Sequence, residues 1–463
     1  MKKLNYLLLG PLLLLLAFIS CSKDPFILEL PPYKTRIVEN SPKIYLFEDK
    51  KLPTITFKFL FKNGTSFDPE AKKGLAALTT ALLDQGTKKS SASEIAEALE
   101  FLGASLSAKS YYDTTIIEAQ ALSKDTETLL MILQDIFLNA NFPEEEIKRF
   151  KSLSQASLLQ IKDRPEEFVR VLHRKFLFKD HPYSSPSQGT IKTLENITRG
   201  DITHFYNTYF TRNNLTLAVI GDFDSRKLFK TLKNFFEPWK EVKIEAPVLS
   251  NPTRIEKNTL YVVRKPELSQ SQIRIGNISI NRTDKDYFPL LVANHVLGGA
   301  FTSLLNQRIR DDLGLTYDID SYNNPALYKG DWGIITFTRN EGLNKILEET
   351  LKILKNFDQL VNAEELNKAK AHLTGMYLLS METVEDIAGA LLSAHFYGYD
   401  ESFLKLWRKN VNEVSLNQVK DMAKKYWDID KLLVTILTNP KVDLKNLPIK
   451  GDMKIINYKD VEL

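Results

Sequence analysis

Apolar positions along the chain alternate between the two-residue spacing of strands and the three-to-four-residue spacing of helices. In the first half, IYLFEDKKLPTITFKFLFKNG carries two β-rich runs, and GLAALTTALLDQGT, residues 74–87, predicts a short apolar helix between two glycines. SEIAEALEFLGA predicts a second helix, SLSAKSYYDTTIIEAQAL a strand pair, DTETLLMILQDIFLNA a helix, FPEEEIKRF the opening of a long helix, and LTLAVIGDF a closing strand. Pro143 followed by Glu144, Glu145 and Glu146 makes a favourable first turn, with proline at the start and acids at the positive end of the helix dipole.

The order then recurs. LYVVRKPELSQSQIRIGNISI predicts strands. YFPLLVANHVLGGAFTSLLNQRIRDDLG reads as helix, turn and helix, with Gly298-Gly299 at the turn, and YDIDSYNNPALYKGDWGIITFT predicts strands again. NKILEETLKILKNF, a long helix from AEELNKAKAHLTGMYLLS and a last strand, LLVTILT, complete the series. Each closing strand follows a helix with paired aromatics, HFYNTYF and AKKYWDI. Recurrence of element order, element length and the aromatic pair points to an internal duplication. The expected class is α+β, with two homologous halves at 43–236 and 259–463 and a polar linker at 237–258 that contains three prolines.

Composition places this pattern in an ordinary globular protein: 463 residues, 43% hydrophobic and 26% charged. The net charge of +4 includes Lys2 and Lys3 near the N-terminus, so the remainder carries about +2, which is no electrostatic footprint for nucleic acid. The N-terminus, MKKLNYLLLGPLLLLLAFISCSKD, has a basic start, an apolar run from Tyr6 to Ile19 and a small residue, Ser20, before Cys21. It reads as an export signal over residues 1–20, because the run is shorter than the roughly 20 residues of a spanning helix and Gly10-Pro11 interrupts it. Cys21 is the only cysteine, so no intramolecular disulfide exists. Phe18-Ile19-Ser20-Cys21 resembles a bacterial lipoprotein box. That resemblance implies cleavage before Cys21, lipidation of its sulfur, a tether over 21–42, and an exported protein anchored to a bacterial membrane at the periplasmic face or cell surface. The other reading is a secreted protein with a free thiol.

Several catalytic signatures are absent. The chain has no Gly-x-x-x-x-Gly-Lys loop, no Gly-x-Gly-x-x-Gly turn and no Gly-x-Ser-x-Gly elbow. None of the six histidines, His173, His181, His204, His295, His372 and His395, lies three or four residues from another, so no helix presents two of them on one face.

FKNGTSFDPEAKKGLAALTTALLDQGT resembles the opening of the pitrilysin/insulinase family of zinc peptidases. FPEEEIKRF, HPYSSPSQGT, NLTLAVIGDF, NHVLGGAFTSLLNQRIRDDLGLTYDIDSY and GMYLLSMETVEDIAGAL follow in the family's order over nearly the whole chain. In active members the short helix carries an inverted zinc motif, His-x-x-Glu-His. Carried over, the resemblance puts the first zinc histidine at Ala77, the catalytic glutamate at Thr80, the second histidine at Ala81 and the distal zinc glutamate at Ser157. Ile147 through Lys162 holds no Asp, Glu or His, so no shift of register restores the distal ligand. Catalytic zinc needs about three protein ligands beside its water, and Asp84 alone supplies one. The bare reading of the helix is packing through Leu75, Leu78 and Leu82.

The family's C-terminal half contributes an arginine and a tyrosine seven residues apart, and Arg310 and Tyr317 in IRDDLGLTYDI match them. Such donors stabilise the oxyanion of amide hydrolysis. The plainer reading pairs Arg310 with Asp311 or a nearby carboxylate and lets Tyr317 begin a strand. The resemblance therefore implies a non-catalytic subunit that binds no cofactor itself. It would close a chamber around an extended peptide and supply Arg310 and Tyr317 in trans to the zinc of a homologous partner. The alternatives are a membrane-anchored binding or assembly protein with the peptidase fold, and an autonomous zinc peptidase.

Overall fold

The structure is a computed structural model that describes residues 24–39, 41–245 and 247–462. Cys21 and the export signal lie outside the described residues, among which no helix is long and apolar enough to cross a membrane.

The first half contains β1 (Lys34–Ile37), β2 (Lys43–Glu48), β3 (Thr54–Phe61), α1 (Leu75–Ala81), α2 (Ala92–Phe101), β4 (Ser105–Ser110) and β5 (Thr115–Leu122). It continues through α3 (Thr126–Asn139), α4 (Glu144–Ile161), α5 (Pro165–Phe178), α6 (Ile191–Glu195), α7 (Arg199–Tyr209), β6 (Leu215–Gly221) and α8 (Ser225–Phe236). The second half contains β7 (Thr259–Arg264), β8 (Gln270–Ile278), α9 (Tyr287–Gly298), β9 (Ile319–Asn324), β10 (Asp331–Arg339), α10 (Leu343–Leu360) and α11 (Ala363–Leu379). It closes with α12 (Val384–Phe396), α13 (Glu401–Glu413), α14 (Leu416–Tyr426), β11 (Leu433–Thr438) and β12 (Asp452–Asn457).

The expected duplication is visible in the sheets. One has the order β1-β2-β6-β3-β5-β4 and the other β12-β7-β11-β8-β10-β9, the same topology over five strands; the outer strand differs, β1 entering from the N-terminal side antiparallel to β2 and β12 from the C-terminal side parallel to β7. The fold is thus α+β in two homologous halves. The segment read as a second helix after Gly298-Gly299 differs: it forms a π-helical turn over Asn306–Asp312.

Alternation along the central strands shows why neither half is self-sufficient. Ile44, Leu46, Phe57, Phe59, Leu217 and Val219 face one core, beneath α1 and α3, whereas Tyr45, Phe47, Leu60, Ala218 and Ile220 face the other way and are equally buried. A sheet apolar on both faces needs cover on both. The second cover is α12, from the other half, whose Ile387, Ala388, Leu391 and Leu392 pack on those five residues. The exchange is mutual. α5 lies on β8 and β11, with Phe176 stacked on Tyr261 at 3.8 Å between ring centroids and His173 Nδ1 3.0 Å from Thr435 Oγ1.

The HPYSSPSQGT segment ties this seam. The Tyr183 hydroxyl donates to Asp113 at 2.6 Å, and the amide of Tyr328, from the second half, lies 3.4 Å from that hydroxyl oxygen. Arg174 donates to the Tyr183 carbonyl at 2.9 Å and meets Asp331 of the second half at 3.5 Å. Asp113 is buried, so Tyr183→Phe leaves its carboxylate short of a donor. A loss of about 1–3 kcal/mol is expected, read as a lowered denaturant midpoint at unchanged slope.

The span read as a tether is only partly one. Residues 24–33 dock on α13, where Leu28 N donates to the Lys405 carbonyl at 2.9 Å, Arg408 donates to the Pro25 carbonyl at 2.7 Å, and Tyr33 bonds to Glu401. Residues 34–37 then add β1 as an edge strand. Leu28, Leu30 and Tyr33 carry the docking, and three scattered apolar residues among prolines have no periodicity that marks them.

Candidate functional site

α1 keeps the frame of a metal helix without its ligands. Its start is pinned by Asp68, which accepts from Gly74 N at 2.7 Å and Ala76 N at 2.8 Å. Gly74 is left-handed, with φ 96°, and Gly189 approaches so closely that a Cβ there would lie 2.0 Å from the Lys73 carbonyl oxygen. This contact explains both glycines, the one opening the helix and the one next to the end of HPYSSPSQGT.

Of the three positions on α1, Ala77 and Ala81 are partly exposed, and Thr80 is buried with its hydroxyl donated to the Ala76 carbonyl at 2.7 Å. Ser157 lies half-buried on α4, which packs against α1. Two methyls and two hydroxyls do not fit zinc, which takes thiolate, imidazole or carboxylate ligands. Nor do they supply a base for water activation. Among the described residues no three His, Cys, Asp or Glu side chains group to hold an ion. His295 and His372, 77 positions apart, do stack at 4.8 Å between centroids, a pairing that no spacing rule reveals. Burial, reinforced by His372, lowers the His295 imidazole to about 4.

The second half presents a different site. Arg310 lies on the π-helical turn, a rare local geometry enriched at functional positions. The turn is braced at its start by Asn306, whose side-chain amide donates to the carbonyls of Ala300 at 3.2 Å and Ile319 at 2.9 Å. The Arg310 guanidinium carbon sits 3.5 Å from the centroid of the Phe301 ring, an exposed aromatic. Its Nη1 is buried without a hydrogen-bond partner among the described residues, and the Asp311 carboxylate is 3.8 Å away, beyond hydrogen-bond reach. The local pair expected as the plainer reading is therefore loose, while the stack on Phe301, which sequence reasoning missed, is close. An aromatic nine residues before an arginine is no signal by itself.

Tyr317 is 86% exposed on a backbone that is held firmly. β10 braces both sides of it: Thr338 donates to the Leu315 carbonyl at 2.7 Å and Thr336 to the Asp318 carbonyl at 2.9 Å. The next element, β9, is an edge strand of the second sheet, as β4 is of the first. One segment, 306–317, thus carries both residues. The fixed phenol and stacked guanidinium are donors suited to an anion or a developing oxyanion.

Arg308 anchors that segment to α10 through Glu349, at 3.3 Å. Burial alone would raise the Glu349 carboxyl, but hydrogen bonds from Lys345, Lys352 and Arg308 hold it down at about 2. Its folded pKa is below the unfolded value, so its contribution is present above about pH 4.5 and is lost as pH falls toward 2. Glu349→Gln should cost about 1–2 kcal/mol at neutral pH, because the three partners are half exposed and screened, and the deficit should vanish near pH 2. Urea titrations of both proteins across that range measure it.

Residues 44–190 match the model described as "Insulinase (Peptidase family M16)", and residues 196–373 match "Peptidase M16 inactive domain". The chain belongs to the M16 insulinase family of peptidases. It is 26% identical over 409 residues to the Bacillus subtilis "Uncharacterized zinc protease YmxG", spanning 86% of this chain and 96% of that protein. It is 24% identical over 411 residues to the Helicobacter pylori "Non-peptidase homolog YmxG", spanning 87% and 93%. In fold it is similar to a solved peptidase M16 inactive domain from Pseudomonas fluorescens, with TM-score 0.81 and 24% identity over 91% of this chain and 99% of that one. With no zinc ligand at Ala77, Ala81 or Ser157 and no base at Thr80, this member is not an autonomous peptidase.

Proposed function

We propose that the protein is the non-catalytic subunit of a zinc-dependent peptidase heterodimer. It closes the peptide chamber and directs Arg310 and Tyr317 at a scissile carbonyl held by the zinc of a homologous partner. The observation that carries this reading is the pairing of an exposed phenol on a braced backbone with a guanidinium whose Nη1 has no hydrogen-bond partner, on one segment of a chain that groups no set of zinc ligands, both among the described residues. A purely structural arginine would be expected to spend its donors on its own fold.

The substrate class is an extended peptide. The edge strands β4 and β9 support capture by strand addition, which draws affinity from main-chain hydrogen bonds with little sequence choice. Lipidation at Cys21 would keep the pair on an exported face of the membrane. In this assignment zinc belongs to the partner, and this chain's own part is to bind peptide, shape the chamber and donate hydrogen bonds.

Affinity purification of the full chain from its native host tests the partnership. A stoichiometric M16 homologue carrying His-x-x-Glu-His is the expected companion. Recovery of the chain alone, or only with proteins outside the peptidase family, overturns the heterodimer.

A further inference from the structure

A cavity of about 520 Å³ opens on the face of the first sheet that turns away from α1 and α4. Its floor is two cross-strand pairs, Lys58 with Glu118 and Leu60 with Ile116. The alternate residues Phe57, Phe59 and Ile117 point into the opposite core, so this space is separate from the helix that bears the lost zinc positions. It lies beside α12, which packs chiefly on β6, β2 and β3. The stripe Gly389, Leu392, Ser393 and Phe396 of α12 forms one wall, and Tyr111 and Tyr112 form another.

Gly389 is the informative residue. Glycine is the poorest helix former after proline, and here it sits well inside a helix. A Cβ at that position would meet no atom within 4 Å, so no neighbour requires the missing side chain. The room it leaves belongs to the cavity.

The charges of the lining are already matched. Lys58 pairs with Glu118 at 3.0 Å, and Asp113 accepts from Tyr183 at 2.6 Å and from Ser66 at 3.3 Å. The hydroxyls of Thr114 and Ser393, by contrast, have no hydrogen-bond partner among the described residues. We propose that this cavity is a binding site for a compact, uncharged, mainly apolar molecule with a hydrogen-bonding group that meets Thr114 or Ser393. Volume and lining match small-molecule sites, which run from about 300 to 1,000 Å³ with apolar walls and a few placed polar groups. A charged ligand would find no free countercharge. The inference is independent of the partnership proposed above.

Fluorescence titration of the full chain with N-phenylnaphthylamine, a neutral apolar probe with one N–H, tests it. One saturable site per chain is expected, weakened at least about tenfold by Gly389→Leu, which fills the space, and by Ser393→Leu from the same wall. Phe101→Ala, at an exposed side chain outside the lining, should leave binding unchanged. If melting shows that Gly389→Leu does not fold, Ser393→Leu decides alone. The anionic probe anilinonaphthalene sulfonate should bind more weakly than the neutral one. No saturable binding, binding indifferent to the cavity-filling variants, or tighter binding of the anion would each overturn the proposal.

Discussion

Replacing Arg310 by alanine in the reconstituted pair should lower kcat about 100-fold while leaving assembly intact, the usual cost of deleting one oxyanion donor. Attack on an amide places negative charge on the carbonyl oxygen, and a donor aimed there acts on the transition state more than on bound substrate, so KM should move little. Tyr317→Phe should behave alike, since its hydroxyl is exposed and contributes nothing to packing. Arg310→Lys should not rescue: a lysine has neither the planar fork nor the flat surface that stacks on Phe301. Phe301→Ala should also lower kcat, with Phe301→Tyr restoring it, because the ring positions the guanidinium and takes no part in the chemistry. Peptide turnover with subunit association followed in parallel measures all five variants. Unchanged turnover in Arg310→Ala and Tyr317→Phe would remove the trans-site reading while leaving the fold assignment untouched.

The second large effect concerns stability. Leu391 is 2% exposed where α12 covers the first sheet, and Leu391→Ala should cost about 2–5 kcal/mol, the range for emptying a leucine site in a packed core. Because α12 and α5 are exchanged between the halves, the loss should lower one shared calorimetric transition and should not split it into two. Residues 43–236 expressed alone would leave Tyr45, Phe47, Ala218 and Ile220 uncovered, and 259–463 alone would leave Ile278 and Leu433 uncovered. Each fragment is expected to aggregate or to bind hydrophobic dye, with co-expression restoring solubility. Two independent transitions in the intact protein would contradict the interlocked fold.

The contrast between these two predictions marks what the sequence could reveal. The duplication and much of the element order were legible because they depend on local periodicity, and the zinc positions were reached by resemblance to the family. The exchange of α5 and α12 was not. Phe168, Val169, Leu172 and Phe176 announce a helix with an apolar face, yet nothing in a helical period says which sheet that face will cover, and part of the answer, Thr435 against His173, lies 262 residues downstream. The docked arm at 24–33 and the added strand β12 escaped for the same reason: their partners are distant in sequence. At the candidate site, Arg310 and Tyr317 were legible by resemblance. Their supports were not, since the Phe301 stack, the Glu349 brace and the π-helical turn are set by tertiary packing.

The central claim is that this chain cannot hydrolyse peptides by itself and completes a site whose zinc another chain holds. Zinc content and peptide cleavage, measured for the purified chain, for its zinc-bearing homologue and for the mixture, test it most directly. The account predicts no tightly bound zinc and no cleavage by this chain alone, with turnover appearing when the homologue is added. One zinc per chain together with cleavage by this chain alone would contradict it.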